Sequence, residues 1–169
     1  ECSGGDLFDS RAGGYNTFNL TNSTIYNSAK SRDVFRMDDA SKSISAKPVI
    51  KVDHCTFCQV GSGNANYRFF YTRFAGNKIT FTNNIVTDFN NKRGFANQKT
   101  TDQDPTLDNN IYFNTKNLIS ADDTADATIS WFDSKGTVLD PKFKDAAKGD
   151  FTIGNDNVKD KKAGDPRWY

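Results

Sequence analysis

Four stretches of this chain repeat one phrase: Phe18–Asn27 (FNLTNSTIYN), Ile50–Gln59 (IKVDHCTFCQ), Ile79–Asp88 (ITFTNNIVTD) and Pro105–Asn114 (PTLDNNIYFN). Aligned on the second apolar position, they bring Leu20, Val52, Phe81 and Leu107 into register, and two residues later Asn22, His54, Asn83 and Asn109. Apolar-x-apolar alternation is the pattern of a half-buried strand. Asn tolerates a left-handed backbone better than most residues, so each copy reads as strand, sharp corner, strand. The copies lie 32, 29 and 26 residues apart, from Leu20 to Val52, Phe81 and Leu107. Such spacing belongs to a repeat architecture. Its drift suits a parallel β-helix, whose coils must superpose where strands stack about 4.8 Å apart while surface loops vary in length. A propeller blade would carry hairpin turns instead. The expected fold is therefore all-β, a parallel β-helix (solenoid), with residues 1–120 as coils and residues 121–169 as an irregular C-terminal cap of the same domain.

A second strand is expected after each corner: DVFRMD from Asp33, YRFFYTRF from Tyr67, RGFANQ from Arg93 and NLISAD from Asn117. Phe35, Phe69 or Phe70, Phe95 and Leu118 would stack inward along it. LFDSR from Leu7 looks like one further copy, so the chain is expected to open inside a coil and to be the C-terminal part of a longer protein. In the last third, TISWFDS, GTVLDPKF and GDFTIG read as short strands with a helical turn at 142–148, and Trp131 and Trp168 as covers for the end of the apolar stack.

Composition limits the function classes. A formal net charge of +1 from 22 Lys and Arg against 21 Asp and Glu gives no global basic field, which argues against nucleic acid as a partner. No apolar run approaches the roughly 18 to 20 residues that cross a bilayer, so no transmembrane segment is expected. The cysteines Cys2, Cys55 and Cys58 are odd in number and match no complete metal template. Cys55, just after a corner, reads as a small core residue. Zinc at His54, Cys55 and Cys58 is disfavoured, because neighbouring strand residues point to opposite faces and a fourth ligand is missing.

The corner phrases VDHCTF, FTNNIV and LDNNIYFN, with LDPKFKDAAKGDFTI and the closing AGDPRWY, resemble right-handed parallel β-helix proteins related to pectate lyases. More narrowly, they are similar to the uncharacterised pectate-lyase-like domains at the C-termini of bacterial surface lipoproteins encoded in polysaccharide-utilisation systems. The resemblance implies a lipid anchor to the outer membrane through the parent chain, or a periplasmic or secreted location. It also implies N-terminal domains of the same parent protein and a plant or host polysaccharide as partner. Active members of that group use an Arg or Lys base and carboxylate-bound Ca²⁺, and no complete set of those residues aligns here.

Candidate binding residues lie on the second-strand face: Arg36, Arg68, Tyr71, Arg73, Lys92 and Arg93, with Arg11 above them. Equivalent positions of a solenoid line up on one surface, so these cations are expected to form a ladder for the carboxylates of an acidic glycan. Tyr67, Phe70, Tyr71 and Phe74 interleave with them. The competing reading is a solvated face with the arginines paired to Asp33, Asp38 and Asp39. Asp38 and Asp39 are also weak candidates for Ca²⁺; Asp102, Asp104 and Asp108, and Asp122, Asp123 and Asp126, read as solvated loops. The corner asparagines read as structural amides that bond to one another. The leading expectation is a non-catalytic module for an acidic polysaccharide such as pectin. The alternatives are a lyase performing β-elimination on uronates, with Arg36, Arg68 or Arg93 as base, and a spacer without ligand.

Overall fold

The computed structural model describes residues 4–10, 15–37, 48–61, 67–72, 76–96, 104–125 and 129–169. It is a parallel β-helix, as the repeats require. The strands are β1 (Phe8–Ser10), β2 (Thr17–Ser28), β3 (Phe35–Met37), β4 (Val49–Val60), β5 (Phe70–Thr72), β6 (Lys78–Thr82), β7 (Ile85–Thr87), β8 (Thr106–Asp108), β9 (Ile111–Phe113) and β10 (Thr137–Val138). After them come β11 (Phe143–Asp145), β12 (Asp150–Ile153) and the short helix α1 (Asp156–Asp160).

Register follows the phrase. Leu20 pairs with Val52, Val52 with Phe81 and Phe81 with Leu107, all in parallel. The four corner residues adopt positive φ: Asn22 at 48°, His54 at 52°, Asn83 at 55° and Asn109 at 49°. A second left-handed position, which the sequence reading missed, follows five residues later in every copy: Asn27, Gln59, Asp88 and Asn114, at 51° to 56°. Each coil therefore bends twice, and inward residues on both sides of the first bend reach one core.

That core is a column of aromatic rings. Phe35 lies between Phe8 and Phe70, with ring centroids 5.0 Å apart on either side and planes 10° and 15° from parallel. Phe70 stacks on Phe95 at 6.3 Å. Phe57 meets Phe35, Phe69 meets Phe95 and Phe81 meets Phe70 edge to face. The sheet β1-β3-β5 is parallel, so LFDSR is a true further copy. RGFANQ and NLISAD do not form strands over their described residues, although Phe69 and Phe70 donate to Gly94 and Phe95 carbonyls. The left-handed Gly94 and Asn117 break them; a Cβ on Gly94 would stand 2.1 Å from the Asn117 carbonyl oxygen.

Inside the corner, a buried polar ladder carries the amides. Asn84 accepts the Cys55 N–H at 2.9 Å and donates to the Val52 carbonyl at 3.2 Å. Asn110 takes the Asn84 N–H at 2.9 Å and donates to the Phe81 carbonyl at 2.8 Å. Below it, the buried Asp133 carboxylate accepts from both Asn110 and the Tyr112 hydroxyl. Outside the corner, Asn109 donates to Asn83, and Asn83 to Asp53. Every amide in these stacks has a backbone or side-chain partner, as the structural reading requires.

The closing segment does two things. Through Trp131, buried in the main core, and β10, paired parallel to β9, it continues the stack beyond residue 120. TISWFDS itself forms no strand over its described residues. The remainder then turns back along the outer flank, following the outward column Thr24, Thr56, Ile85 and Ile111. Asn109 donates to the Lys161 carbonyl, and Gly164 N–H to Asn83. Asp165 N–H bonds Thr56, and the Asp165 carboxylate accepts from Thr24 at 2.7 Å. Ile85, Ile111, Ile153, Val158 and Ala163 form a separate small core there. Trp168 belongs to this flank, donating to Thr24 and packing on Phe151, and so does not cover the end of the stack. The helix α1 was not foreseen; Asn155 caps it by accepting the Asn157 N–H.

Candidate functional site

The face of β3 and β5 gathers most of the expected binding residues, but not as one ladder. Phe35 pairs with Phe70 and Arg36 with Tyr71, which sets Asp33 opposite Arg68. On the next coil, Phe69 N–H donates to Gly94, so Arg93 precedes the level of Arg68. Arg36, Arg68 and Arg93 thus stand in three different columns. The expectation of a straight row fails because register is set by the inward phenylalanines, and the arginines sit at different distances from them.

What forms instead is a cluster around Tyr71. The Arg68 guanidinium lies 3.9 Å from the ring centroid and that of Arg36 lies 5.3 Å away. Cation–π contacts of this kind contribute about 0.5–2 kcal/mol, more as water is excluded. Arg68 pairs with Asp33 at 3.5 Å, and Arg36 with Asp6 at 3.5 Å. The Asp33 carboxylate also accepts the Arg68 N–H at 2.8 Å, while Asp6 accepts the Asp33 N–H at 3.1 Å. Arg68 is buried, and its Nε has no hydrogen-bond partner among the described residues.

Burial decides the protonation of this pair. It pushes the Asp33 carboxyl up to about 6, against the pull of Arg68. Burial likewise lowers the Arg68 guanidinium, opposed by Asp33 and reinforced by Arg93. On both partners, loss of solvent outweighs the ion pair.

Lys92 is exposed and Arg93 half-buried at the adjoining turn, where Arg93 N–H bonds Asn91. Arg73, Asp38 and Asp39 lie outside the described residues, as do Arg11, Phe74, Cys2, Asp102 and Asp126. Asp6 was not singled out from sequence. Its signal was present in the triplets Asp6-Leu7-Phe8, Asp33-Val34-Phe35 and Arg68-Phe69-Phe70, which put a charged residue two positions before each stacked phenylalanine.

Elsewhere the chemistry is structural. His54 Nδ1 stands 3.2 Å from Asp53, whose carboxylate also accepts from Thr82 and Asn83 and is held below the usual range by those bonds despite partial burial. Cys55 points into the core, where burial pushes its thiol up to about 11, while the Cys58 thiol faces Asp88 at 3.8 Å. Their opposite directions exclude a shared metal with His54. Among the described residues, no group of three or more His, Cys, Asp or Glu side chains is placed to hold a metal ion. No helix there is long and apolar enough to cross a membrane.

A family model described as Domain of unknown function (DUF5123) matches residues 50–168. The chain belongs to this family. No curated protein and no solved structure matches it. The DUF5123 match starts within β4, so β1, β2 and β3 precede it, yet the family's closing segment bonds Thr24 and packs Phe151 on Tyr26. The folded unit therefore extends beyond the matched region, because the flank segment finds its last partners on the coil before it.

Proposed function

We propose that this DUF5123 chain is a non-catalytic module that binds an acidic polysaccharide on the face of β3 and β5. Its resemblance to pectate-lyase-like surface domains supports a place on the bacterial cell surface within a larger lipid-anchored protein. The observation that carries the reading is the stack of Arg68 and Arg36 on Tyr71, flanked at the next coil by Lys92 and Arg93. A tyrosine packed against two guanidinium groups is oriented before ligand arrives, so little side-chain entropy is lost on binding. The ring in turn orients the two guanidinium groups, and these with the neighbouring cations suit uronate carboxylates. Asp6 and Asp33 neutralise two of the arginines, so affinity is expected to be modest and to fall with salt.

Gel retardation with polygalacturonate against a neutral glycan tests this. Retardation by the acidic polymer alone, lost in Tyr71→Ala and Lys92→Glu, is expected; equal mobility in all gels would sink the proposal.

The lyase reading draws on the lowered Arg68 guanidinium. In that reading Arg68 would act as the base that takes the proton next to a uronate carboxyl, with Ca²⁺ offsetting the negative charge that develops. Growth of ultraviolet absorbance from an unsaturated uronide, with and without added Ca²⁺, would replace the binder reading with this one.

A further inference from the structure

The two corners of each coil use their side chains differently. At the first, the amides are bonded: Asn83 donates to Asp53, and Asn109 to Asn83 and to the Lys161 carbonyl. At the second, Asn27 and Gln59 are exposed, and their side-chain amides have no hydrogen-bond partner among the described residues. Gln59 nonetheless holds a left-handed backbone at a φ of 54°, a conformation uncommon for a residue other than Gly, Asn or Asp.

Cavities follow this second corner. One of about 200 Å³ lies between Tyr26, Asn27, Cys58 and Gln59 on one side and Ala146 and Ala147 of the 3₁₀ turn Ala146–Lys148 on the other. On the next two coils Asp88, Asn90, Asn114 and Lys116 line another of about 200 Å³. Asn114 and Lys116 also line a third, of about 270 Å³, which extends to Val138. All four residues of the second corner thus line a cavity, and stacking repeats them at the strand spacing of about 4.8 Å. The exposed rings of Tyr26 and Phe113 share the preceding column, which the register of β2, β4, β7 and β9 sets three coils apart.

We propose that the second corner is a binding site for an uncharged oligosaccharide laid across the coils. Three features select that ligand. First, the polar groups offered are amides and a carboxylate, which exchange hydrogen bonds with hydroxyls; Asp88 already accepts from Asn114 at 2.6 Å and keeps lone pairs for more. The exposed rings add apolar surface against which the C–H side of a sugar can pack. Second, the charges disfavour an acidic chain. Lys116 pairs with Asp122 at 3.9 Å, whereas Asp88 has no cationic partner among the described residues, so a uronate would meet an unneutralised carboxylate. Third, polar groups that recur once per coil suit a chain whose hydroxyls recur at a similar interval. A peptide strand cannot be added to β4, β7 or β9, because each is already paired along both edges. The cavities have room for single sugar rings rather than a larger ligand, so affinity is expected in the millimolar range, too weak to retard the chain in a gel. This site is separate from Tyr71 and the arginines around it.

The experiment titrates cellohexaose, xylohexaose and mannohexaose into the isotope-labelled chain, with hexagalacturonate as the charged control, and follows side-chain amide signals by NMR. At least one neutral hexasaccharide should shift the Asn27, Gln59 and Asn114 signals saturably, with Asn83 and Asn109 unmoved and hexagalacturonate about fivefold weaker or more. Gln59→Gly deletes one amide at a backbone position that glycine adopts readily, and Ala147→Trp fills the first cavity from an exposed site. Each should weaken binding about fivefold or more. Circular dichroism checks that both fold, and if one does not, the other decides. Tyr71→Ala should leave the titration unchanged, which separates failure here from failure of the reading on β3 and β5. No saturable shift with any neutral probe, equal shifts at Asn83 and Asn109, an equal response to hexagalacturonate, or folded variants that bind as the parent does would overturn the proposal.

Discussion

Replacing Asn84 with Leu tests whether the inner amide ladder holds the coils together. Asn84 is fully buried. Its side chain accepts the Cys55 N–H at 2.9 Å and donates to the Val52 carbonyl and to Asn110 Oδ1, both at 3.2 Å. Leu is close in volume, so the cavity contribution is small and the loss is polar. Each hydrogen bond contributes about 1 kcal/mol net, and a buried N–H or carbonyl left without a partner costs about 1–3 kcal/mol. Cys55 N–H would be left so, because β4 runs unbroken through Cys55 and offers no alternative side chain there. Greater apolar burial of Leu offsets part of this, leaving a net loss of about 3–5 kcal/mol. For a chain of this size that lowers the melting temperature by roughly 6–20 °C. Urea unfolding monitored by circular dichroism and tryptophan fluorescence gives the midpoint and its slope. A midpoint within error of the parent chain, at unchanged slope, would refute the claim that these amides hold adjacent coils.

Phe35→Ala removes the ring stacked between Phe8 and Phe70 and should cost about 3–5 kcal/mol in the same urea assay, since both neighbours are too constrained to close the gap. Asn83→Val loses bonds to Asp53 and Asn109 together with a left-handed backbone position, so differential scanning calorimetry should register a lower melting temperature while glycan retardation is unchanged. Gly164→Ala places a Cβ 2.7 Å from Ile85 Cδ1 at a φ of +87°; faster hydrogen exchange in residues 155–169 and around Thr24, ahead of global unfolding, is expected as the flank segment lifts. Asp33 titrates near 6 when folded against 3.8 as its ordinary value, so its contribution is fully present below about 4 and is lost as pH rises through 6. Between pH 7 and pH 4.5 the parent chain should therefore gain about 2 kcal/mol from this residue, a gain absent in Asp33→Asn. Asp53 and Asp165, held below the usual range, contribute stability of the opposite sense, present above about 3.8 and lost as pH falls through their lower folded values.

The legible parts of this fold are those where one residue type recurs at one geometric position. Asn, His, Asn and Asn at the first corner share a tolerance of positive φ, and the phenylalanines of the second face share an inward direction. The second corner escaped notice because Asn27, Gln59, Asp88 and Asn114 are chemically mixed, although their backbones agree within a few degrees. The arginine-bearing face was half legible. Its members were identifiable by charge, but their columns were not, since register is settled by aromatic packing one and two residues away.

By itself, the sequence determined the coil: alternation dictates which residues face inward, and a residue permissive of left-handed φ dictates where the strand turns, both through local backbone sterics. The tertiary structure decided everything that joins distant positions. Asp165 meets Thr24 across 141 residues. Asp6 neutralises Arg36, and Asp33 is itself buried deeply enough to be raised against the pull of Arg68. Hydrogen-bond partners and desolvation depend on what the folded chain brings alongside, and no local pattern carries that information.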